Sequence, residues 1–260
     1  MTEQARLAER RLDWPACYNA RDLGGLPTAR GALTTRRSIV RSDYCARLSV
    51  EGWRALVDYG VRTIIDLRSS WELEKEPYAV DPDAAEAGVI YLSLPLVTAD
   101  RELDNALSDP ANAGREYAIL AERCSANISA ILRGIINAKP GGIVIHCQAG
   151  KDRTGIIVAL LLRLACVPDA VIMADYVESQ ERLWPVWEGM LAAATPEQPA
   201  DERLKPLAFP ADFQNLLDHL DAEYGGVEGY LAHIGLEPDE VQALAGRLVE
   251  QQEQDDDDRR

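Results

Sequence analysis

The chain has 260 residues, 47% of them hydrophobic, enough for one domain with an ordinary core. Its 27 Lys and Arg stand against 43 Asp and Glu, a formal charge of −16 that repels nucleic acid and anionic membranes at long range and argues against both as partners. No stretch approaches the ~18 unbroken apolar residues of a membrane helix.

The start of the chain, Met1 to Trp14, is charged throughout and lacks the apolar centre of a Sec signal. Five cysteines at irregular spacing and three scattered histidines, His146, His219 and His233, point to reduced thiols, a cytoplasmic protein and no metal site. Export by a non-Sec route leaves no such mark. Trp14 to Pro27 is a turn-rich entry with Arg21, Asp22 and Gly24-Gly25, on its residues alone a glycine hairpin with a surface Arg–Asp pair. Ser38 to Val40 reads as a short strand delivering Arg41 and Ser42 to its end, and Ser49 to Tyr59 as a helix capped by Ser49 and closed by Gly60.

Arg62 to Leu67 is continuously apolar up to Asp66, as in a strand covered on both faces. Asp66 and Arg68 thus fall where that strand leaves the core, and in open α/β sheets ligands bind at the carboxyl ends of strands. Val89 to Leu94 gives a further strand closed by Pro95. Val97 to Pro110, with Asp100, Asp104 and Asp109 and little apolar content, reads as a loop. Tyr117, Leu120, Cys124, Ile128, Ile131 and Ile135 recur at steps of three and four and predict one helix over the sheet. Lys139 to Gly142 then turns the chain.

Gly142 to Gly155 carries the chemistry. A short apolar run ends at His146-Cys147, a loop with Gly150 follows, and a helix almost wholly apolar from Ile156 to Leu164 begins near Arg153. Such a loop aims successive N–H groups at one point above a helix N-terminus, which favours a dianion such as phosphate. Gln148, Ala149, Gly150, Lys151, Asp152, Arg153 and Thr154 are the expected phosphate-binding residues. The helix end, Lys151 and Arg153 favour thiolate over thiol at Cys147, and a thiolate attacks phosphorus. Arg153 can fork onto two phosphoryl oxygens, and the Thr154 hydroxyl is suited to stabilise the departing thiolate. Asp152 stands where a nucleotide P-loop needs Ser or Thr for Mg²⁺, which excludes an NTPase.

Pro168-Asp169 starts a helix from Ala170 to about Gln180. Residues 181–212, including Trp184, Pro185 and Trp187, read as a lid or insertion over the active-site face, or as a plain connector. Phe213 to Leu220, Val227 to Ile234 and Pro238 to Glu250 form a C-terminal helical cluster separated by glycines. The predicted architecture is α/β: a central, mostly parallel sheet flanked by helices, one domain over 12–250, with flexible tails at 1–11 and 251–260.

His146 to Gly155 resembles the signature of the atypical bacterial tyrosine phosphatases. Asn19 to Gly25, Arg41-Ser42-Asp43, Asp66-Leu67-Arg68-Ser69 and Tyr224 to Tyr230 resemble that family's other motifs in the same order. The resemblance implies a cysteine-phosphatase fold and a metal-free enzyme without cofactors. It implies a cysteinyl-phosphate intermediate and action on phosphotyrosine, often also on phosphoserine, phosphothreonine or phosphoinositides. It makes Asp66 a candidate general acid beside Asp152, Arg68 a candidate pocket residue, and His146, Thr154, Arg21 and Arg41 supports of the site. The Trp-Pro-Asp acid loop of many tyrosine phosphatases is missing, since only Trp14-Pro15-Ala16 and Trp184-Pro185-Val186 occur; the residues do not choose between Asp66 and Asp152. Lys151 adds a fixed charge that suits crowded anions such as phosphoinositides. A phospho-ligand-binding module without turnover and a sulfurtransferase are the competing function classes.

Overall fold

A computed structural model describes residues 9–193 and 209–249. Five strands form one sheet: β1 (Arg21–Asp22), β2 (Ile39–Ser42), β3 (Val61–Asp66), β4 (Ile90–Ser93) and β5 (Gly142–His146). Their order is β1-β2-β5-β3-β4, with β1 antiparallel to β2 and every other pairing parallel. The expected α/β architecture, a mostly parallel sheet flanked by helices, is what forms. Side chains alternate across the strands. Ile39, Ile65, Ile143 and Ile145 enter one core and Val40, Ile64 and Val144 the other, so both faces are covered.

The smaller layer holds α1 (Val50–Tyr59) and α3 (Pro82–Glu86), with the short α2 (Ser70–Lys75) between them in the chain. Ser49 caps α1 by accepting from Gly52 N, and Gly60 closes it at φ 101°, a left-handed position that favours glycine. The larger layer contains α4 (Arg101–Ser108), α5 (Glu116–Arg123), α6 (Ser125–Ile136), α7 (Asp152–Leu164), α8 (Asp169–Ala193), α9 (Pro210–Tyr224), α10 (Val227–His233) and α11 (Pro238–Leu248). α7 is buried nearly all round and carries the core between the sheet and α8–α11.

Four expectations need correction. Val97 to Pro110 is not a loop: Asp100 accepts from Glu102 N at 2.9 Å and caps α4, whose Leu103 is buried. The single helix expected through Cys124 is two, α5 and α6, broken where Cys124 takes φ −100° and ψ 18°. Arg41 and Ser42 lie within β2 rather than beyond its end. The helix expected to stop near Gln180 runs on to Ala193 despite Pro185, so the first part of the expected lid at 181–212 is helical and its remainder to 208 lies outside the described residues. Of the two expected tails, 251–260 and 1–8 lie outside them as well, whereas Arg10 is fully buried.

Leu161, fully buried in the C-terminal half of α7, tests this packing. Leu161→Ala should lower unfolding stability by about 2–5 kcal/mol in a urea titration, the cost of lost transfer energy plus a cavity; a loss below about 1 kcal/mol would contradict the core described here.

Candidate active site

β5 ends at His146 and α7 starts at Asp152, so Cys147 to Lys151 make the connection at the carboxyl edge of the sheet. Gly150 takes φ +65°, and a Cβ there would lie 2.1 Å from Ser42 O, so only glycine fits. The loop carbonyls are all occupied on its outer side. Asn19 Nδ2 donates to Ala149 O (2.9 Å) and Gly150 O (3.1 Å), Arg41 Nη2 to Gly150 O (2.6 Å) and Lys151 O (3.2 Å), and Tyr44 N to Gln148 O (3.2 Å). In a trans peptide the N–H points opposite to the C=O. The amides from Ala149 to Asp152 are thereby turned inward, an anion cradle at a helix N-terminus.

A buried ionic group holds those anchors. Asp175 of α8 accepts from Arg10 Nη2, from Arg21 Nε at 3.0 Å and from Arg41 Nη1 at 2.6 Å. Arg21 also donates to Asn19 Oδ1 at 2.5 Å and to Ser179 Oγ at 3.0 Å. Burial opposes the charge on Asp175, but Arg21, Arg41 and Arg10 outweigh it and hold the carboxyl well below the usual carboxylate range. Burial, then Arg41, lowers Arg21 to about 10. Asp43 braces the same segment by accepting from Tyr18 N (3.1 Å) and Asn19 N (2.9 Å).

Above the loop opens a cavity of about 460 Å³. Cys147, only 3% exposed, lies at its base with Gln148, Ala149, Lys151, Asp152 and Arg153. Tyr18, Trp71 and Trp187 line its walls together with Asp43 and Arg47. Glu72 grips the Arg153 guanidinium with both oxygens, Nη1 to Oε2 at 2.5 Å and Nη2 to Oε1 at 2.8 Å. Burial would raise the Glu72 carboxyl, yet Arg153 keeps it below its ordinary value. Glu72 Oε2 also accepts from Ser69 N at 2.8 Å, the capping box of α2. Lys151 is 2% exposed, with Nζ 5.2 Å from the Trp187 ring centroid and 3.6 Å from Asp152 Oδ1. Asp152 Oδ1 accepts from Tyr117 Oη at 2.5 Å.

Two of the expected site residues are elsewhere. Asp66 and Arg68 are both fully buried and neither lines the cavity. Arg68 binds the Asp66 carboxylate through its own N–H (2.9 Å), Nε (3.0 Å) and Nη2 (3.0 Å), and stacks 3.8 Å from the Tyr44 ring centroid. Tyr91 Oη donates to the same carboxylate at 3.1 Å. This is an internal ion pair at the carboxyl end of β3. His146, also fully buried, sits beside it with Nδ1 2.9 Å from Cys147 O; burial lowers its titration despite the nearby Asp66. Thr154 is fully buried and its hydroxyl makes no hydrogen bond, so the expected contact to Cys147 is not formed here. Arg41 contacts the loop directly through Gly150 O, and Arg21 reaches it through Asn19. The sequence assigns no role at the site to Glu72, Tyr117 or Asp175 and places Asn19 only within the Asn19–Gly25 motif; Glu72 carries a local signal, the S-x-x-E pattern from Ser69. Among the described residues no group of three or more His, Cys, Asp or Glu could hold a metal ion.

A family model described as the tyrosine phosphatase family matches residues 12–250. The chain is 30% identical over 241 residues to a tyrosine-protein phosphatase of Nostoc commune, covering 85% of this chain and 78% of that one. It is 26% identical over 277 residues to the triple specificity protein phosphatase PtpB of Mycobacterium tuberculosis, covering 90% of this chain and 98% of that one.

Removing the carboxylate under the loop should be costly. Asp175→Asn leaves Arg10, Arg21 and Arg41 buried without their counter-charge, and is expected to destabilise the fold by roughly 3–5 kcal/mol at neutral pH. A carboxyl depressed in the folded state contributes stability above its unfolded value, and that contribution is lost as pH falls through the folded value. The gap between wild type and variant in denaturant titrations should therefore narrow only below about pH 4.

Proposed function

The chain belongs to the tyrosine phosphatase family, and on that premise we propose that Cys147 is its nucleophile, Arg153 its phosphate fork and Asp152 its general acid. It is a phosphatase, an enzyme acting on phosphorylated substrates. One observation carries the assignment of residues: the loop carbonyls are drawn outward by Asn19 and Arg41 while Cys147, Asp152 and Arg153 share the cavity within.

In the first step the Cys147 thiolate forms the S–P bond as the P–O bond to the leaving group breaks. The inward amides and Arg153 bind the three equatorial oxygens, and Asp152 gives its proton to the leaving oxygen. In the second step water forms a P–O bond, its proton passes to Asp152, and Cys147 departs as thiolate. Positioning and fixed charge carry such a transfer. Glu72 holds Arg153 with its fork aligned before substrate arrives, which spares the rotamer entropy of a long side chain.

The aromatic walls, Tyr18, Trp71 and Trp187, suit an aryl ring and support phosphotyrosine as the leading substrate. The printed name of the mycobacterial relative supports a wider range of phosphomonoesters, and Lys151, close above the cradle, supports phosphoinositides among them. The cytoplasm remains the proposed location, beside the plain fact that no helix among the described residues is long and apolar enough to cross a membrane.

Phosphate release from a phosphotyrosine peptide without added metal should vanish in Cys147→Ser; an inert wild type whose Cys147→Ser variant still binds phosphopeptide would instead favour a binding module. Asp152→Asn should lose the basic limb of the kcat–pH profile while keeping substrate affinity, and Asp66→Asn should keep that limb. The reverse result would move the acid to Asp66. Lys151→Ala should lose more activity on a phosphoinositide than on phosphotyrosine; equal losses would remove its part in lipid preference.

A further inference from the structure

A chain of hydrogen bonds leaves the catalytic loop on the side away from the cavity. Tyr117 Oη of α5 lies 2.5 Å from Asp152 Oδ1 and 2.8 Å from Tyr176 Oη of α8, and Phe209 N donates to Tyr176 Oη at 3.2 Å. The polarity follows from the chemistry of the ends. A backbone N–H only donates, so Tyr176 accepts from Phe209 and passes its own proton to Tyr117. An ionised carboxylate only accepts, so Tyr117 donates to Asp152. Both phenols are sealed from water, Tyr117 at 7% and Tyr176 at 0% exposure. Tyr176 is clamped by ring stacking on Phe213, centroids 4.0 Å apart and planes 5° from parallel, and Tyr117 meets the same ring edge-on at 5.5 Å.

Resting on the assignment of Asp152 as the acid, we propose that Tyr117, backed by Tyr176, is the positioning residue that fixes which oxygen of Asp152 carries the transferable proton. Tyr117 occupies Oδ1, so the proton that reaches the leaving group sits on Oδ2, and the carboxyl cannot rotate freely about its terminal bond. Among the described residues, Asp43, Arg47, Glu72 and Cys147 share the cavity with Asp152. Lys151, with Nζ 3.6 Å from Oδ1, and Arg153 belong to its own loop and helix. α5 presents Tyr117, α8 presents Tyr176, and Asp212 of α9 acts on Tyr176 beyond them. Burial first, then the Asp152 charge, raises both phenols, Tyr176 to about 12, so each remains an O–H donor throughout the working range.

The test compares Tyr117→Phe, which removes one oxygen and keeps the ring, on two substrates. With a phosphotyrosine peptide, whose phenolate needs a proton to depart, kcat/KM, which reports only the steps through S–P bond formation, should fall roughly tenfold. With 2,4-dinitrophenyl phosphate, whose leaving group needs no proton, kcat/KM should be unchanged. In an Asp152→Asn background Tyr117→Phe should add no further loss on either substrate. Equal losses on both substrates, or an additive loss on Asp152→Asn, would overturn the proposal and leave Tyr117 as packing alone. Should Tyr117→Phe fail to fold, Tyr176→Phe carries the test, with the same discrimination between substrates expected and its absence decisive against it. An Asp152→Asn enzyme that did not discriminate between the substrates would overturn the acid assignment itself, and this proposal with it. Discrimination by Asp152→Asn without discrimination by Tyr117→Phe would overturn the positioning role alone.

Discussion

A loop can offer a ring of backbone amides to an anion only if its carbonyls are satisfied somewhere else, and the rest of this protein is arranged around that requirement. Asn19 and Arg41 take the carbonyls of Ala149, Gly150 and Lys151. Arg41 is in turn fixed by Asp175 and Asn19 by Arg21, so a carboxylate on α8 sets the shape of a loop between β5 and α7. The sheet supplies the remaining rigidity, since Ser42 and Asp66 flank His146 in register on either side. Gly150 fits against Ser42 only because it has no side chain.

The same ionic group resolves the tension between an acidic protein and an anionic substrate. Arg10, Arg21, Arg41 and Arg182 are gathered against Asp175 and Glu178, four cations to two anions within the fold. Positive charge is therefore concentrated behind the cradle, where surrounding protein screens it less than water would. The overall charge of −16 acts at long range; this cluster, Lys151 and Arg153 govern the last few ångströms.

The catalytic loop was legible because its chemistry is local: strand, glycine turn, helix and the Cys-x5-Arg spacing all lie within fourteen residues, Gly142 to Gly155. The parallel sheet was legible from apolar runs such as Ile143 to Ile145. What the sequence hid are long-range partners. Asp175 lies 154 positions from Arg21, and Tyr117 meets Asp152 across 35, separations over which no spacing rule operates. Asp66 and Arg68 misled for the opposite reason. A charged pair at a strand's carboxyl end has the form of a site, but here each satisfies the other in full burial beneath Tyr44 and Tyr91. α4 leaves little trace in the sequence because it buries one apolar side chain, Leu103, and an aspartate such as Asp100 caps a helix and starts a loop equally well.

Glu72 has two employments, and they are thermodynamically linked. It closes the capping box of α2, a helix of six residues, far too short to persist unaided. It also anchors the arginine that awaits the phosphoryl group. Opening of α2 releases the counter-ion of Arg153, so local unfolding and substrate affinity share one equilibrium. An oxyanion that engages the aligned Arg153 should slow amide exchange along Ser70–Lys75, and a solvent condition that frays its first turn should weaken phosphate binding while the sheet stays whole.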